Sequence, residues 1–257
     1  MIYNDGFYLL EKIPAVLRAR GFRLYLSNGK RLVDLWLNGG AAVLGHTPPN
    51  LLRELKNTAS RGLYAPYPHF TKDRFLKALS KLFPDRSFRL YAAPPPELTA
   101  LNNSAEVKLW RPFSEAQDTQ ILILVLPGIQ SWRNGLPMGL CITAVYDEKL
   151  LSQLPPDDVL SPVLLAAAVR GVHDIIAAPE RTKIKFPRVM KILKQSNWQR
   201  QGIYLTLKKE TTLEEWETLF HKFLEAGFLL PPSPAYPLIL PGELSDGEEA
   251  KLASALN

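Results

Sequence analysis

The run Ile121-Leu122-Ile123-Leu124-Val125-Leu126 constrains the fold more than any other stretch of this chain. It is apolar at every position, so a strand built from it has no face that can meet water. A strand covered on one side alternates apolar and polar residues; one covered on both sides does not. The chain therefore needs a central sheet with a layer on each side. Stretches that can supply those layers flank the run. Leu51, Leu52, Leu55 and Ala59 form one face of a helix that starts at Thr47 and stops at Gly62. Phe75, Leu76, Leu79 and Leu82 do the same from Thr71 to Phe83. A third helix has Ser161 as its cap, Pro162 at its first position and Leu165, Ala168, Val169, Val172 and Ile176 inward. With strands at 88–93 and at "GLCITAV", the middle of the chain reads as a parallel α/β layer.

The two ends read differently. Phe22, Leu24 and Leu26 alternate up to Asn28-Gly29, and Val33, Leu35 and Leu37 alternate after it, which is a hairpin. Thr211 or Thr212, with Glu214 or Glu215 three residues on, makes a capping box for a helix carrying Trp216, Leu219, Phe220 and Phe223 and ending at Gly227. Ser245 and Glu248 cap the last helix. The predicted architecture is α/β, with a small α+β domain built from both termini (1–70 and 198–257) around a large α/β domain (71–197).

Charge and cysteine content narrow the function classes. The net charge is +6, and nine of the cations lie between Arg181 and Lys209 with no acid among them. Such a stretch is a candidate anion or nucleic-acid face, but its cations are spaced along it without interleaved stacking aromatics, so a solvated helix flank is the preferred reading. Cys141 is the only cysteine. It excludes a disulfide within the chain and fits a buried thiol. No basic-then-apolar leader is visible, and the apolar runs are too short to span a bilayer, so a cytoplasmic protein without membrane attachment is expected.

One turn is anomalous. "RLYAAPPPELTAL" is a strand running into a helix, a usual place to hold a phosphate because the first N–H groups of a helix point outward unpaired. Pro94, Pro95 and Pro96 supply no N–H at all.

The order of these features resembles class III aminotransferases, pyridoxal-phosphate (PLP) enzymes of fold type I, and within them the glutamate-1-semialdehyde aminomutase branch. "GFRLYLSNGKRLVDLWLNGGAAVLGHTPPNLL" is similar to the family's opening hairpin, glycine-rich turn and L-G-H motif, with Asn28-Gly29, Asp34, Gly39-Gly40 and Leu44-Gly45-His46 in place. A family aspartate before the turn is Leu26 or Ser27 here. "LSPVLLAAAVRGVHDII", "RQGIYLTL" and "FHKFLEAGFLLPPS" resemble later helices and strands of the family. The resemblance covers nearly the whole chain, but the family's large domain is far longer than residues 85–180, so this chain reads as a truncated and degenerate member.

The resemblance also implies where cofactor chemistry belongs. The family's Schiff-base lysine precedes a turn matched by Gly135, Pro137 and Gly139, and counting back places Gln130 there; an amide cannot form the imine. The phosphate-gripping serines fall on Pro94, Pro95 and Pro96, with Glu97 retained. The threonine that reaches the phosphate from the partner subunit falls on Asp157. The acidic strand that faces the pyridine nitrogen is expected to be deleted, and no arginine follows Arg200. The resemblance thus implies no catalytic residue, no cofactor and no metal, a relic pocket at Gln130, Trp132 and Arg133, and a homodimer or a heteromer with a related aminotransferase. Two alternatives stand beside it: an active PLP enzyme using a displaced lysine such as Lys108 or Lys149, and an anion- or nucleic-acid-binding module at 181–209. His46 is expected to hydrogen-bond at a helix entry. His69, His173 and His221 are scattered, without metal spacing.

Overall fold

The computed structural model describes residues 6–102, 107–115, 118–133 and 135–257. The chain divides into two compact units, 1–47 with 180–257, and 48–179. Sequence patterning drew the boundaries at 70 and 198 instead. Residues 49–59 form a helix that packs on helix 162–176, and residues 187–193 form one that packs on helix 246–255. Those long-range partners set the division.

The terminal unit begins with β1 (Val16–Arg20), β2 (Arg23–Leu26) and β3 (Arg31–Asp34). The predicted hairpin is β2–β3, antiparallel with Leu24 opposite Leu32, turning through Gly29 at φ +79°. β1 carries no apolar alternation because it is an exposed edge strand, marked by Arg18 and Arg20.

The central unit contains α1 (Pro49–Ala59), α2 (Thr71–Leu82), β4 (Ser87–Tyr91), α3 (Pro96–Asn102), β5 (Val107–Trp110), β6 (Ile121–Leu124), β7 (Ser131–Arg133), β8 (Leu136–Met138), β9 (Cys141–Val145), α4 (Glu148–Leu151) and α5 (Pro162–Ile176). β6 comes from the unbroken apolar run, and none of its four residues is more than 3% exposed. α1 and α5 both start on proline, with no side-chain cap from Ser161 and with Pro48 rather than Thr47 at the α1 cap position. The missing proline N–H makes such a cap less necessary.

Two features depart from the sequence reading. The sheet, in order β4-β9-β6-β5, is mixed and not parallel: β5 and β6 are parallel, while β9 runs antiparallel to both β4 and β6. The helix expected to reach Trp110 ends at Asn102, and Val107–Trp110 is strand β5, pairing Trp110 with Leu124. A second strand therefore does precede Gln130, and it holds no carboxylate.

The terminal unit closes with α6 (Pro187–Leu193), β10 (Trp198–Gln201), β11 (Tyr204–Leu207), α7 (Leu213–Ala226), β12 (Phe228–Leu229), β13 (Leu238–Ile239) and α8 (Asp246–Ala255). β12 lies parallel to β3, and β10-β11-β13 form a separate sheet. Both predicted capping boxes are present, Thr212 with Glu215 and Ser245 with Glu248, and Gly227 ends α7 in the left-handed conformation. Trp216, Phe220 and Phe223 of α7 are at most 1% exposed; burying each contributes about 1.5–3 kcal/mol. The Trp216 indole satisfies its N–H on the Pro231 carbonyl at 2.9 Å.

Candidate functional site

Among the described residues β4 pairs on one side only, with β9, so the N–H groups on its outer edge need acceptors from elsewhere. The segment 155–158 provides them. Leu90 N–H donates to Asp157 Oδ1 at 3.0 Å, and Ala92 N–H donates to Asp158 Oδ2 at 2.8 Å. Asp158 N–H returns a bond to the Leu90 carbonyl at 2.9 Å, and the Tyr91 hydroxyl donates to the Pro155 carbonyl at 2.8 Å. Burial holds the Tyr91 phenol above its ordinary pKa. Lys72 Nζ pairs with the other oxygen of Asp157 at 2.7 Å. Asp157 is thus both an edge acceptor and an ion-pair partner. Over it lies an open cavity of about 340 Å³, lined in part by Tyr67, His69, Phe70 and Asp158.

The strand-to-helix turn leaves β4 through Ala92 and Ala93. The Ala92 carbonyl accepts from Gly139 N–H at 2.8 Å, and Leu98 N–H bonds back to the Pro95 carbonyl at 3.1 Å. Pro94, Pro95 and Pro96 lie between them, and Glu97 is exposed in the first turn of α3. α3 has seven residues. Its entry presents proline rings where donors would be required to hold an anion.

Gln130 is buried, 7% exposed, in the turn that leaves β6. Its Oε1 accepts from Leu126 N–H at 3.3 Å, and its Nε2 donates to the Leu140 carbonyl at 2.9 Å. Both ends of the amide are employed in tying the β6 exit to the β9 entry. Gly135 and Gly139 flank β8 at φ +77° and +80°, conformations that glycine adopts without a Cβ penalty. In β7, Trp132 is buried while Arg133 is exposed, so strand alternation puts them on opposite faces. Of the three residues expected to line one pocket, Gln130 and Trp132 are buried and Arg133 is exposed.

Sequence reasoning placed Asp34 in the hairpin motif but gave it no partner. Its Oδ1 accepts the N–H groups of Trp36 at 2.8 Å and Leu37 at 2.9 Å, while Oδ2 meets His46 Nε2 at 2.9 Å. This clip holds Leu37 and Asn38 at positive φ, +46° and +49°, a strained conformation for residues with a Cβ. The paired residues are twelve apart, beyond any helix or strand period. The basic stretch spends several of its charges within the fold: Arg181 on the carbonyls of Val43 and Leu240, Arg188 on Asp246, and Lys208 on Ser196. Among the described residues no three His, Cys, Asp or Glu side chains gather as metal ligands, and no helix is long and apolar enough to cross a membrane.

No protein-family model matches the chain. An uncharacterized protein of Borreliella burgdorferi is 26% identical, covering 93% of this chain and 89% of that one. One of Treponema pallidum is 27% identical, covering 91% of each. Among solved structures, ornithine δ-aminotransferase of Plasmodium falciparum superposes with a TM-score of 0.67 over 95% of this chain and 92% of that one, at 11% identity. Acetylornithine aminotransferase of Elizabethkingia anophelis gives 0.64 over 98% of each at 10% identity. The fold is that of the PLP-dependent aminotransferases. An ω-transaminase of Sphaerobacter thermophilus shares it too, at a TM-score of 0.63 and 9% identity, covering 95% of this chain and 90% of that one. Sequence divergence on this scale leaves the aminotransferase fold as the common property.

Proposed function

We propose that this chain is an aminotransferase-fold protein that has given up PLP binding and transamination and works as a cytoplasmic, non-catalytic homodimer or as a partner of a related aminotransferase. The observation that carries this reading is the buried amide of Gln130, bonded at both ends to backbone at the position where the resemblance puts the Schiff-base lysine. An amide forms no imine, and this one has a structural task in place of a chemical one.

The other positions that the resemblance assigns to the cofactor do not suit PLP either. Three prolines replace the phosphate donors, and two carboxylates hold the adjoining strand edge. A phosphate a few ångströms from Asp157 meets a repulsion of about 1–4 kcal/mol between the water and protein-surface limits. β5 carries no acid to pair with a pyridine nitrogen. The spirochaete relatives match over about nine-tenths of their own length, which supports a compact form shared beyond this chain. Lys108 and Lys149 are both exposed, in settings that do nothing to desolvate an amine.

The test is to titrate the purified chain with PLP, follow the imine absorbance and reduce with borohydride. The expected result is no imine band and no labelled lysine. A stoichiometric label on any lysine, Lys108 and Lys149 included, overturns the reading. Light scattering at micromolar concentration tests the dimer, and a monomer counts against it.

A further inference from the structure

Helices α1, α2 and α5 of the central unit pack together and leave a cleft of about 70 Å³ at their junction. That is far below the roughly 300 Å³ at which organic-ligand pockets begin, and a few times the ~30 Å³ share of one water. Helical spacing assembles its walls. Thr71 and Arg74 stand three apart on α2, and Ala166, Arg170 and His173 follow at four and three on α5, so each set forms one stripe. Ala166 is small, which leaves the room.

The hydrogen-bond accounting of this cleft is unbalanced toward donors. Arg170 gives Nε to Asp174 Oδ1 at 2.8 Å and Nη2 to the same oxygen, and among the described residues Nη1 has no hydrogen-bond acceptor. Among the described residues the side chain of Arg74 makes no hydrogen bond or ion pair, and that of His173 makes no hydrogen bond. Glu54 of α1 lines the same cleft without an ion pair to either arginine. The charged groups around His173 are Lys81 and Arg74 from α2, Arg170 and Asp174 from α5, and Glu54 from α1, three cations against two carboxylates. Guanidinium forks from two different helices match the several oxygens of a tetrahedral ion better than a planar or apolar group.

We propose that this cleft binds a phosphate-class oxyanion, held by Arg74, Arg170 and His173 between α2 and α5. The site is independent of whether the chain binds PLP. Burial first, then Lys81 and Arg170, holds the His173 pKa below its ordinary value. A bound dianion favours the imidazolium, so binding draws in a proton and weakens as pH rises through the His173 pKa of the complex. Because the ion joins two helices only in the folded chain, it stabilises that state by mass action.

The experiment follows the histidine ring resonances of the full chain by NMR, assigned with His173→Gln. Inorganic phosphate is added to about 10 mM, against sodium chloride at matched ionic strength. Phosphate is expected to shift His173 saturably and raise its pKa, with little change at His46, His69 and His221. Arg74→Gln removes an exposed, unpaired side chain, so the fold persists while affinity falls about tenfold or more. Glu54→Gln removes the opposing carboxylate and is expected to tighten binding. A parallel titration with glycerol phosphate separates sources: tighter binding of the ester points to a phosphorylated metabolite, equal or weaker binding to the free ion. The proposal is overturned if His173 responds no more to phosphate than to chloride, or if Arg74→Gln binds phosphate as the natural chain does.

Discussion

The side-chain amide of Gln130 donates to the backbone carbonyl of Leu140 at 2.9 Å, joining the exit of one buried strand to the entry of the next. A lysine in its place cannot accept from Leu126 N–H and brings a charge into a site 7% exposed. Gln130→Lys is expected to cost about 1–3 kcal/mol in urea unfolding. It is also expected to leave PLP unbound, because the prolines and Asp157 remain; an imine band in the variant contradicts this.

Arg23 links β2 to α8 through two bonds to Glu248, Nε to Oε1 at 3.0 Å and Nη2 to Oε2 at 2.7 Å. Hydrogen bonding from Arg23, opposed by burial, lowers the Glu248 carboxyl to about 2. The unfolded carboxyl titrates near 4.5. Between those values the unfolded chain binds more protons, so this contribution is complete above pH 4.5 and lost as pH falls toward 2. Glu248→Gln is expected to remove on the order of 2–3 kcal/mol at pH 7 and to flatten the acid limb of a stability–pH curve. An unchanged acid limb refutes the assignment.

Gly171 sits where α5 meets the turn after β6. A Cβ there falls 2.0 Å from the Pro127 carbonyl oxygen, a backbone atom that cannot swing aside. Gly171→Ala is expected to destabilise by about 1–3 kcal/mol or more. Gly247→Ala in α8 is the control: nothing lies within 4 Å, and the helix is expected to gain up to about 1 kcal/mol. Thermal melts of the two variants should move in opposite directions.

Arg181 opens the basic stretch but is turned inward. Its guanidinium reaches the carbonyls of Val43 and Leu240 and stands 5.4 Å from the Phe22 ring centroid, and burial lowers its pKa to about 10. Arg181→Ala is expected to cost about 2–4 kcal/mol by leaving two buried carbonyls unpaired, and Arg181→Lys to recover only part, since an ammonium lacks the fork. The chain is expected not to retain DNA or RNA at physiological salt. Salt-dependent binding lost in Lys191→Glu and Lys194→Glu variants would restore a nucleic-acid role to this face.

Local signals carried much of the fold. The capping boxes at Thr212 and Ser245, the stop at Gly227, the Asn28-Gly29 hairpin and the two-sided burial of Ile121–Leu124 each depend on residues within a few positions of one another, so the amino-acid order alone determined them. The three prolines stood out by their missing N–H groups, and Gln130 was singled out by the resemblance. What only the tertiary structure decided was pairing across distance. β9 inserts antiparallel between β4 and β6, β5 replaces the end of an expected helix, Asp157 caps a strand edge 67 residues away, and Asp34 finds His46. Strand order and edge satisfaction are set by hydrogen bonds between segments far apart in sequence, and no local period records which segment arrives.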